Sequence, residues 1–343
     1  MGAKNDAVVQ PLKKTTGRDG LLRYVAIAKW TGAGNQSDLV RTARAVLRSK
    51  GVHGVVRGGP GCILISGKSP VVVAGAVKGL PGVAWVAVGM HVPGQASVRE
   101  DAARLAKRYL KKGMTFTVNS EVQQSAGLAS DLSGAVRFAI LDAADGCRVD
   151  ERNPDISFRA TKDNGGTAIG VEIFKGPGGI PTGKKTIACL VSGGKHSSVA
   201  AWYALLSGSV VHMVHAKVDD ASVRAVALLY AELSDRVDSG ALSLQVLEGV
   251  APAAALTKWL GRFSGECIGG FHAGSAENER VRNRVDAPLR LLPEEEFTKA
   301  AGNLGAREDP RKLNWKARGS GSLTVRKFGG VRADANRVID GLQ

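Results

Sequence analysis

The stretch Gly176–Trp202 reads GPGGIPTGKKTIACLVSGGKHSSVAAW, which predicts a strand followed by a glycine-rich turn and a helix. The strand covers Thr186 to Val191, the turn is Ser192-Gly193-Gly194, and the helical pattern opens at Ser197. Glycines allow the backbone to approach a ligand closely, and the first N–H groups of the helix then face an anion. The stretch therefore predicts a phosphate cradle; an ordinary turn between a strand and a helix is the alternative that the same residues allow.

The composition is that of a folded and strongly basic protein. With 343 residues, 44% of them apolar, the chain is long enough to fill the cores of two or three domains. A net charge of +16 favours a polyanionic partner, of which nucleic acid is the commonest, and solubility alone is the other explanation. No apolar run is long enough to span a bilayer and no secretory signal opens the chain, so we expect a cytoplasmic protein without a membrane partner.

The cysteines and histidines show no metal-binding pattern. Cys62, Cys147, Cys189 and Cys267 lie far apart and form no C-x-x-C pair, which excludes a disulfide framework and a zinc ribbon. The histidines form no H-x-x-x-H pair. We therefore expect no metal site built from protein ligands.

The order of the predicted elements gives a multidomain protein, α+β in its first half and α/β in its second. Residues 21–92 follow the order β-α-β-β-α-β of a ferredoxin-like fold. From residue 184 onward strands alternate with helices, which predicts a doubly wound parallel sheet with ligands at the carboxyl ends of its strands. The predicted parts are a basic tail (1–20), a ferredoxin-like domain (21–92), an RNA-binding domain (93–182), a nucleotide-binding domain (183–312) and a basic extension (313–343).

A helix predicted from Ser97 to Lys112 separates apolar from basic residues. Its basic side carries six residues: Arg99, Arg104, Lys107, Arg108, Lys111 and Lys112. We interpret the aromatic residues of this region as core residues rather than stacking platforms: Tyr109, Phe116, Phe138 and Phe158. The domain is therefore expected to recognise RNA by shape and phosphates rather than by base stacking.

Two motifs give the chain a family resemblance. Residues 192–197, SGGKHS, resemble the SGGxDS loop of the PP-loop ATP pyrophosphatases. Residues 178–183, GGIPTG, resemble the linker that joins a THUMP domain to the PP-loop domain in the tRNA 4-thiouridine synthetase (tRNA sulfurtransferase) family. The phrases KGMTFTVNSE and NPDISFRATKD also look like a THUMP domain. The resemblance extends over residues 21 to 305.

The resemblance implies an activity and its partners. Family members use ATP and Mg²⁺ to adenylate O4 of a tRNA uridine, after which a persulfide sulfur displaces AMP and leaves 4-thiouridine. THUMP domains bind the acceptor end of tRNA. The implied partners of this chain are therefore tRNA, a sulfur donor such as a cysteine desulfurase or sulfide, and a second copy of the chain in a homodimer.

Matching the family motifs residue by residue gives the implied site. The ATP-binding set is Leu190, Val191, Ser192, Gly193, Gly194, Ser197, His215, Ala216, Gly270 and Glu279. The catalytic candidates are His196 in the loop and Cys267, which is the cysteine nearest to the predicted strand ends. The RNA-binding set adds Lys184 and Lys185 to the six basic residues of the helix.

Three departures from the family pattern leave two functions open. His196 stands where the family has an aspartate, Glu279 stands where it has a glutamine, and residues 306–343 contain no cysteine to match the family's catalytic one. His196 would either brace the loop or contact pyrophosphate. One function is an enzyme that thiolates tRNA with sulfur from a donor or from Cys267. The alternative is a tRNA-binding protein whose PP-loop domain serves as a scaffold or nucleotide sensor.

Overall fold

A computed structural model describes residues 24–59, 61–92, 98–122, 128–163, 166–183, 185–238, 240–269, 294–304 and 320–329. The chain forms two compact units, Met1–Gly178 and Gly179–Gln343. The finer boundaries predicted from the sequence stay predictions. No helix in these ranges is long and apolar enough to cross a membrane.

The first unit contains two successive α+β folds. It begins with β1 (Tyr24–Trp30), α1 (Gln36–Ser49), β2 (Gly54–Gly59), β3 (Cys62–Gly67), α2 (Pro70–Val77) and β4 (Val83–Val92). It continues with α3 (Val98–Tyr109), β5 (Thr115–Val122), α4 (Leu128–Ala143), β6 (Arg148–Val149), β7 (Ile156–Asp163) and β8 (Gly166–Gly178). The first six elements have the order β-α-β-β-α-β and the strand order β2-β3-β1-β4, which confirms the ferredoxin-like prediction.

One eight-stranded sheet runs through the first unit in the order β2-β3-β1-β4-β8-β7-β5-β6. β4 and β8 pair antiparallel with Val88 opposite Val171, so the ferredoxin-like strands and the strands that follow share their backbone hydrogen bonds. Gly89 lies opposite Gly170 at this junction. A side chain on Gly89 would meet the carbonyl oxygen of Ile169 at 1.9 Å, so the two strands can approach only because glycine is present.

Helices α1 to α4 pack on one face of this sheet. Alternate residues of β4 show the arrangement, because Val86 and Val88 lie in the core under α1 and α2 whereas Met90 lies in the core under α3 and α4. The apolar side of α3 is buried as predicted, with Ala102 and Leu105 at 2% exposure or less. The amphipathic pattern of α3 thus fixes which side of the helix remains open to solvent.

The second unit is an α/β fold around a five-stranded sheet. Its elements are β9 (Thr186–Leu190), α5 (Lys195–Leu206), β10 (Val210–Ala216), α6 (Asp220–Ser234), β11 (Leu242–Val250), α7 (Pro252–Leu260), β12 (Glu266–Gly269), α8 (Glu294–Asn303) and β13 (Ser320–Gly329). The sheet order is β12-β9-β10-β11-β13, and the first four strands are parallel. Helices α5, α6 and α8 cover one face and α7 packs on the other, which confirms the doubly wound prediction.

β13 is the main difference from the sequence-based prediction. The sequence predicts a basic extension over residues 313–343, yet Ser320–Gly329 pairs antiparallel with β11 along the edge of the sheet. The pairing places Arg326 opposite Val246 and Phe328 opposite Leu244. An antiparallel edge strand on an otherwise parallel sheet is common, and here it pairs the backbone groups of β11 on the side away from β10.

Candidate nucleotide-binding site

The turn between β9 and α5 is tight and left-handed at its centre. Gly193 has a φ of +88°, and a Cβ at this position would lie 2.8 Å from the Cβ of Ala225 on α6. Both the conformation and the close approach require glycine. Gly194 is the N-cap residue of α5, and no side chain caps the helix there. The positive end of the helix dipole therefore faces the turn, as it does at anion-binding sites.

Three serines hold this turn in one conformation. The backbone N–H of Ser192 donates to Ser197 Oγ at 3.1 Å, and Ser197 Oγ donates to the carbonyl oxygen of Gly194 at 3.0 Å. Ser198 Oγ donates to the same carbonyl oxygen at 2.9 Å. Ser197 and Ser198 are buried, so water competes little for these bonds. The turn is therefore braced by its own side chains before any ligand binds.

His215, near the end of β10, fastens the turn to the neighbouring helix. Its Nδ1 lies 2.9 Å from the carbonyl oxygen of Val191 and its Nε2 lies 3.1 Å from Ser222 Oγ. Burial lowers the pKa of His215 to about 4, although the bond to Val191 and the charge of Asp219 act in the opposite direction. The imidazole is thus neutral near pH 7, with Nδ1 as its donor. This geometry indicates a positioning role, and direct contact with ATP stays a prediction.

Two residues that act on His215, Ser222 and Asp219, are absent from the site predicted from the sequence. Ser222 and Asp219 form a capping box at the start of α6, in which the Ser222 N–H donates to Asp219 Oδ1 at 2.7 Å. The D-x-x-S spacing immediately before an apolar helical pattern is a signal that could have found them. Ala225, which limits the space at Gly193, carries no such signal because its role depends on packing alone.

The carboxyl ends of β12, β9 and β10 lie side by side. Gly269 is opposite Leu190, and Leu190 is opposite Val214 on its other side. The chain passes from β9 through β10 to β11 and then returns to β12 on the far side of β9, so the strand order reverses there. Open α/β sheets bind ligands at such a reversal. Val191 and Ala216 also lie at these strand ends, whereas Gly270 and Glu279 fall outside the described residues.

All four cysteines of the chain are buried, and none forms a disulfide. Cys267 is 3% exposed and packs with Ala188 and Leu190 in the core beneath α7. Cys189 lies in the core on the other face, where burial raises the pKa of its thiol far above the ordinary value. Because buried thiols in apolar surroundings are unreactive, the structure does not favour the predicted catalytic role of Cys267.

His196 is the second residue of α5 and is partly exposed. It therefore stands at the positive end of the helix, where the related loop carries an aspartate. Within the ranges that the structure describes, no group of three His, Cys, Asp or Glu side chains could hold a metal ion.

The predicted RNA-binding residues of α3 and of the turn that follows it are all exposed: Arg99, Arg104, Lys107, Arg108, Lys111 and Lys112. Arg104 forms an ion pair with the buried Asp101 at 3.7 Å. The guanidinium of Arg108 lies 5.8 Å from the ring centre of Tyr109. In the second unit Lys185 Nζ pairs with Glu266 Oε2 at 2.7 Å, and Lys184 falls outside the described residues. Contact of these residues with RNA stays a prediction.

Comparison with curated proteins finds tRNA sulfurtransferases. A probable tRNA sulfurtransferase of Lactiplantibacillus plantarum is 29% identical over 160 residues, which are 45% of this chain and 39% of that protein. One from Halobacterium salinarum is 28% identical over 194 residues, which are 54% of this chain and 50% of that protein. The predicted resemblance to the tRNA sulfurtransferases is confirmed. The matches span half or less of the length of these tRNA sulfurtransferases, and no protein-family model matches the chain.

Two solved structures share the fold. PH1313 from Pyrococcus horikoshii Ot3 has a TM-score of 0.65 at 22% identity, over 82% of this chain and 99% of that chain. A 4-thiouridine synthetase, crystallised as an RNA complex with bound ATP, has a TM-score of 0.59 at 21% identity, over 82% of this chain and 85% of that chain. These likenesses confirm the predicted combination of an α+β fold with a doubly wound α/β fold.

Proposed function

We propose that this chain binds tRNA and ATP and adenylates a tRNA uridine for conversion to 4-thiouridine. ATP binds at the turn between β9 and α5, and the acceptor end of tRNA binds the first unit. O4 of the uridine attacks the α-phosphate of ATP and pyrophosphate leaves. Sulfur then replaces the adenylated oxygen and AMP is released.

One observation carries this proposal. The left-handed Gly193 and the uncapped start of α5 lie where the strand order of the sheet reverses, between β9 and β12. A backbone turn without a side chain, placed against the positive end of a helix, suits a polyphosphate better than it suits an apolar ligand. The similarity to tRNA sulfurtransferases, and to a solved synthetase that holds both RNA and ATP, supports the same reading.

The residues of the turn would act by position and charge. The absent side chain of Gly193 lets phosphate oxygens reach the backbone, and the dipole of α5 stabilises the negative charge that develops as pyrophosphate leaves. The hydroxyl of Ser197 and the imidazole of His215 keep the turn in place, which holds the α-phosphate in line with the incoming oxygen. His196 stands at the helix start, where a protonated ring would attract phosphate and a neutral ring would donate one hydrogen bond.

Two measurements on the intact chain test the proposal. Calorimetry should show ATP binding that Ser197→Ala weakens, because that substitution removes the hydroxyl that braces the turn with a small loss of volume. Incubation with ATP and tRNA should release pyrophosphate, and His196→Asp, which restores the family residue, should not lower the rate. If neither wild type nor His196→Asp binds ATP or releases pyrophosphate with any tRNA, the enzyme assignment fails.

A second candidate function is a tRNA-binding protein that has lost sulfur transfer. The burial of every cysteine in the chain favours it, because no thiol is exposed to carry a persulfide. Adding sulfide to a reaction with ATP and tRNA separates the two candidates. Formation of 4-thiouridine from sulfide supports an enzyme with an external donor, whereas ATP binding without pyrophosphate release supports a scaffold or nucleotide sensor.

A further inference from the structure

Phe138, on the outer side of α4, is the most exposed large apolar side chain among the described residues, with 74% of its surface accessible. Phe116 and Phe158 are buried and form an edge-to-face pair with ring centres 6.0 Å apart. The prediction that Phe138 is also a core residue is therefore wrong. Phe138 lies on the side of α4 opposite to Val136 and Ile140, which are buried in the core.

Side-chain hydrogen bonds hold α4 firmly against β5 and the segment after β6. Ser133 Oγ donates to the carbonyl oxygen of Val118 at 3.2 Å. One turn later, Arg137 pairs with one oxygen of Glu151 at 2.5 Å, and the other oxygen accepts a bond from Thr117 Oγ1 at 2.6 Å. The exposed ring of Phe138 follows Arg137 directly, so it stands on a fixed helix rather than on a frayed end.

The neighbouring helix α3 also presents charged side chains to solvent. α3 packs beside α4 on the same face of the sheet, and its exposed residues are Glu100 and the four basic residues Arg99, Arg104, Lys107 and Arg108. Leu141, one turn after Phe138, is 42% exposed and extends the apolar spot. One turn before Phe138, the position of a Cβ on Gly134 has nothing within 4 Å, so no neighbouring group covers the helix at that point. An accessible aromatic face next to positive charge is the combination that binds unpaired nucleotides.

We propose that this α3–α4 surface, formed by the exposed basic residues of α3 with Phe138 and Leu141 of α4, binds an unpaired nucleotide of RNA. Phe138 stacks on the base while the side chains of α3 contact neighbouring phosphates. The proposal rests on the RNA binding proposed above and adds a residue that recognises the face of a base. The sequence alone predicts recognition of RNA by shape and phosphates, without such stacking.

A second copy of the chain fits this surface less well than RNA does. In a symmetric contact the basic side chains of one α3 would approach those of the other, and like charges repel. Two apolar side chains also cover far less than the roughly 1,000 Å² that a stable protein interface buries. RNA fits both the charge and the small apolar area of this surface, since its phosphates neutralise the charges of α3 and a single base covers the ring of Phe138.

Equilibrium binding of the full chain to two hairpin RNAs tests the proposal, one with a short single-stranded tail and one with a blunt end. Phe138→Leu keeps an apolar side chain but removes the aromatic face, whereas Phe138→Trp keeps that face. We expect Phe138→Leu to weaken binding of the tailed RNA about five-fold or more, the effect of losing one base–aromatic stack. Phe138→Trp should retain the affinity, and both variants should bind the blunt hairpin as the wild type does.

A fluorescent adenine analogue in the tail reports stacking directly. Its emission should be quenched on binding to the wild type and to Phe138→Trp but not to Phe138→Leu. Val72, which is 55% exposed on α2, offers a matched control, and Val72→Ala should alter neither binding nor quenching. Because Phe138 is largely exposed, its variants should unfold at the same temperature as the wild type.

Three results would overturn the proposal: unchanged affinity of Phe138→Leu for the tailed RNA, an equal loss with the blunt RNA, or a change of oligomeric state in place of a change in RNA affinity. A wild type that binds neither hairpin would remove the proposed RNA-binding function as well. That outcome is distinct from strong binding that ignores the tail, which would remove the stacking role of Phe138 alone.

Discussion

The Nδ1 of His215 donates a hydrogen bond to the carbonyl oxygen of Val191 across 2.9 Å, and this bond joins the end of β10 to the last residue before the Ser192-Gly193-Gly194 turn. Through its other nitrogen the same ring reaches Ser222 Oγ at the start of α6. Two loops at the carboxyl end of the sheet are thereby held by one buried side chain. The protonation state of His215 therefore affects both the stability of this unit and the position of the turn.

The folded chain should lose stability as the pH falls from about 6.5 to about 4 because of His215. Burial lowers the pKa of His215 to about 4, so within this window the unfolded chain takes up a proton that the folded chain does not. The contribution of the neutral His215 to the free energy of unfolding is fully present above the pKa that this histidine has in the unfolded chain, and it amounts to about 3 kcal/mol by linkage. Denaturant unfolding measured across this pH range, followed by fluorescence of the second unit, should show stability rising with pH.

A variant isolates this contribution from those of other groups. His215→Gln keeps hydrogen-bonding groups but cannot titrate, so the slope of stability against pH should become shallower between these values. An NMR titration in which the His215 ring protonates near pH 6.5 would contradict the expectation.

Gly193→Ala should abolish ATP binding and destabilise the second unit. The new methyl group would stand 2.8 Å from the Cβ of Ala225, and a φ of +88° is strained for any residue with a Cβ. The expected loss of stability is about 1–3 kcal/mol. Calorimetry with ATP and thermal unfolding measure the two effects separately.

The strain and the clash at Gly193 can be distinguished by a second substitution. Ala225→Gly removes the atom that the new methyl group would meet, so the double variant should regain the stability lost to the clash. It should not regain the stability lost to backbone strain at a φ of +88°. Gly302→Ala is the matched control, because this glycine lies in α8 with nothing within 4 Å of its Cβ position. It should leave ATP binding intact. Equal stability of Gly193→Ala and Gly302→Ala would show that the turn is not constrained as described.

The thiols of the native chain should be unreactive towards a thiol reagent, and unfolding should expose all four. Each cysteine is buried, Cys267 beneath α7 and Cys189 with a raised thiol pKa on the other face of the sheet. Counting modified thiols before and after denaturation, followed by peptide mass spectrometry, provides the measurement. Fast modification that maps to Cys267 in the native chain would revive its predicted role in sulfur transfer.

Neutralising a lysine at the end of α3, or one in the turn that follows it, should lower the salt dependence of RNA binding. Lys107→Gln and Lys111→Gln should each reduce the log–log slope by about 0.7–0.9, since each removes one phosphate contact. Arg41→Gln is a suitable control because Arg41 is exposed on α1 but pairs with Asp38 at 3.3 Å. Filter binding over a salt series measures the slopes. Identical slopes for the two lysine variants and the wild type would place the RNA elsewhere.

Elements with a local signal were predictable from the sequence. β12, Glu266–Gly269, has such a signal, because Gly265 and Gly270 stand on either side of it. α4 begins at Leu128, which continues the four-residue spacing of Leu132, Val136 and Ile140. β13 was missed because glycines and charges interrupt the alternation in SGSLTVRKFG, and because its partner β11 is distant in sequence.

Features that depend on contacts between distant residues were not predictable. The pairing of β4 with β8 has no local signature, and neither does the bond from His215 to Val191. Phe138 was misassigned because an aromatic residue among Val136 and Ile140 resembles a core position until the helix side is known. The burial of Cys267 likewise follows from the packing of α7 rather than from the residues beside it.

The hydrogen bonding of β4 to β8 also fixes the distance between two groups of helices in the first unit. Neighbouring strands stand about 4.8 Å apart, so the helices above the ferredoxin-like strands and those above β5 and β7 are kept at a constant spacing by backbone hydrogen bonds rather than by a linker. A nucleic acid that contacts both ends of this sheet would meet two surfaces at a fixed distance from each other. Its contacting groups would have to lie at that spacing, or the nucleic acid would have to bend. The first unit would therefore discriminate between nucleic acids by their size and shape before any base is recognised.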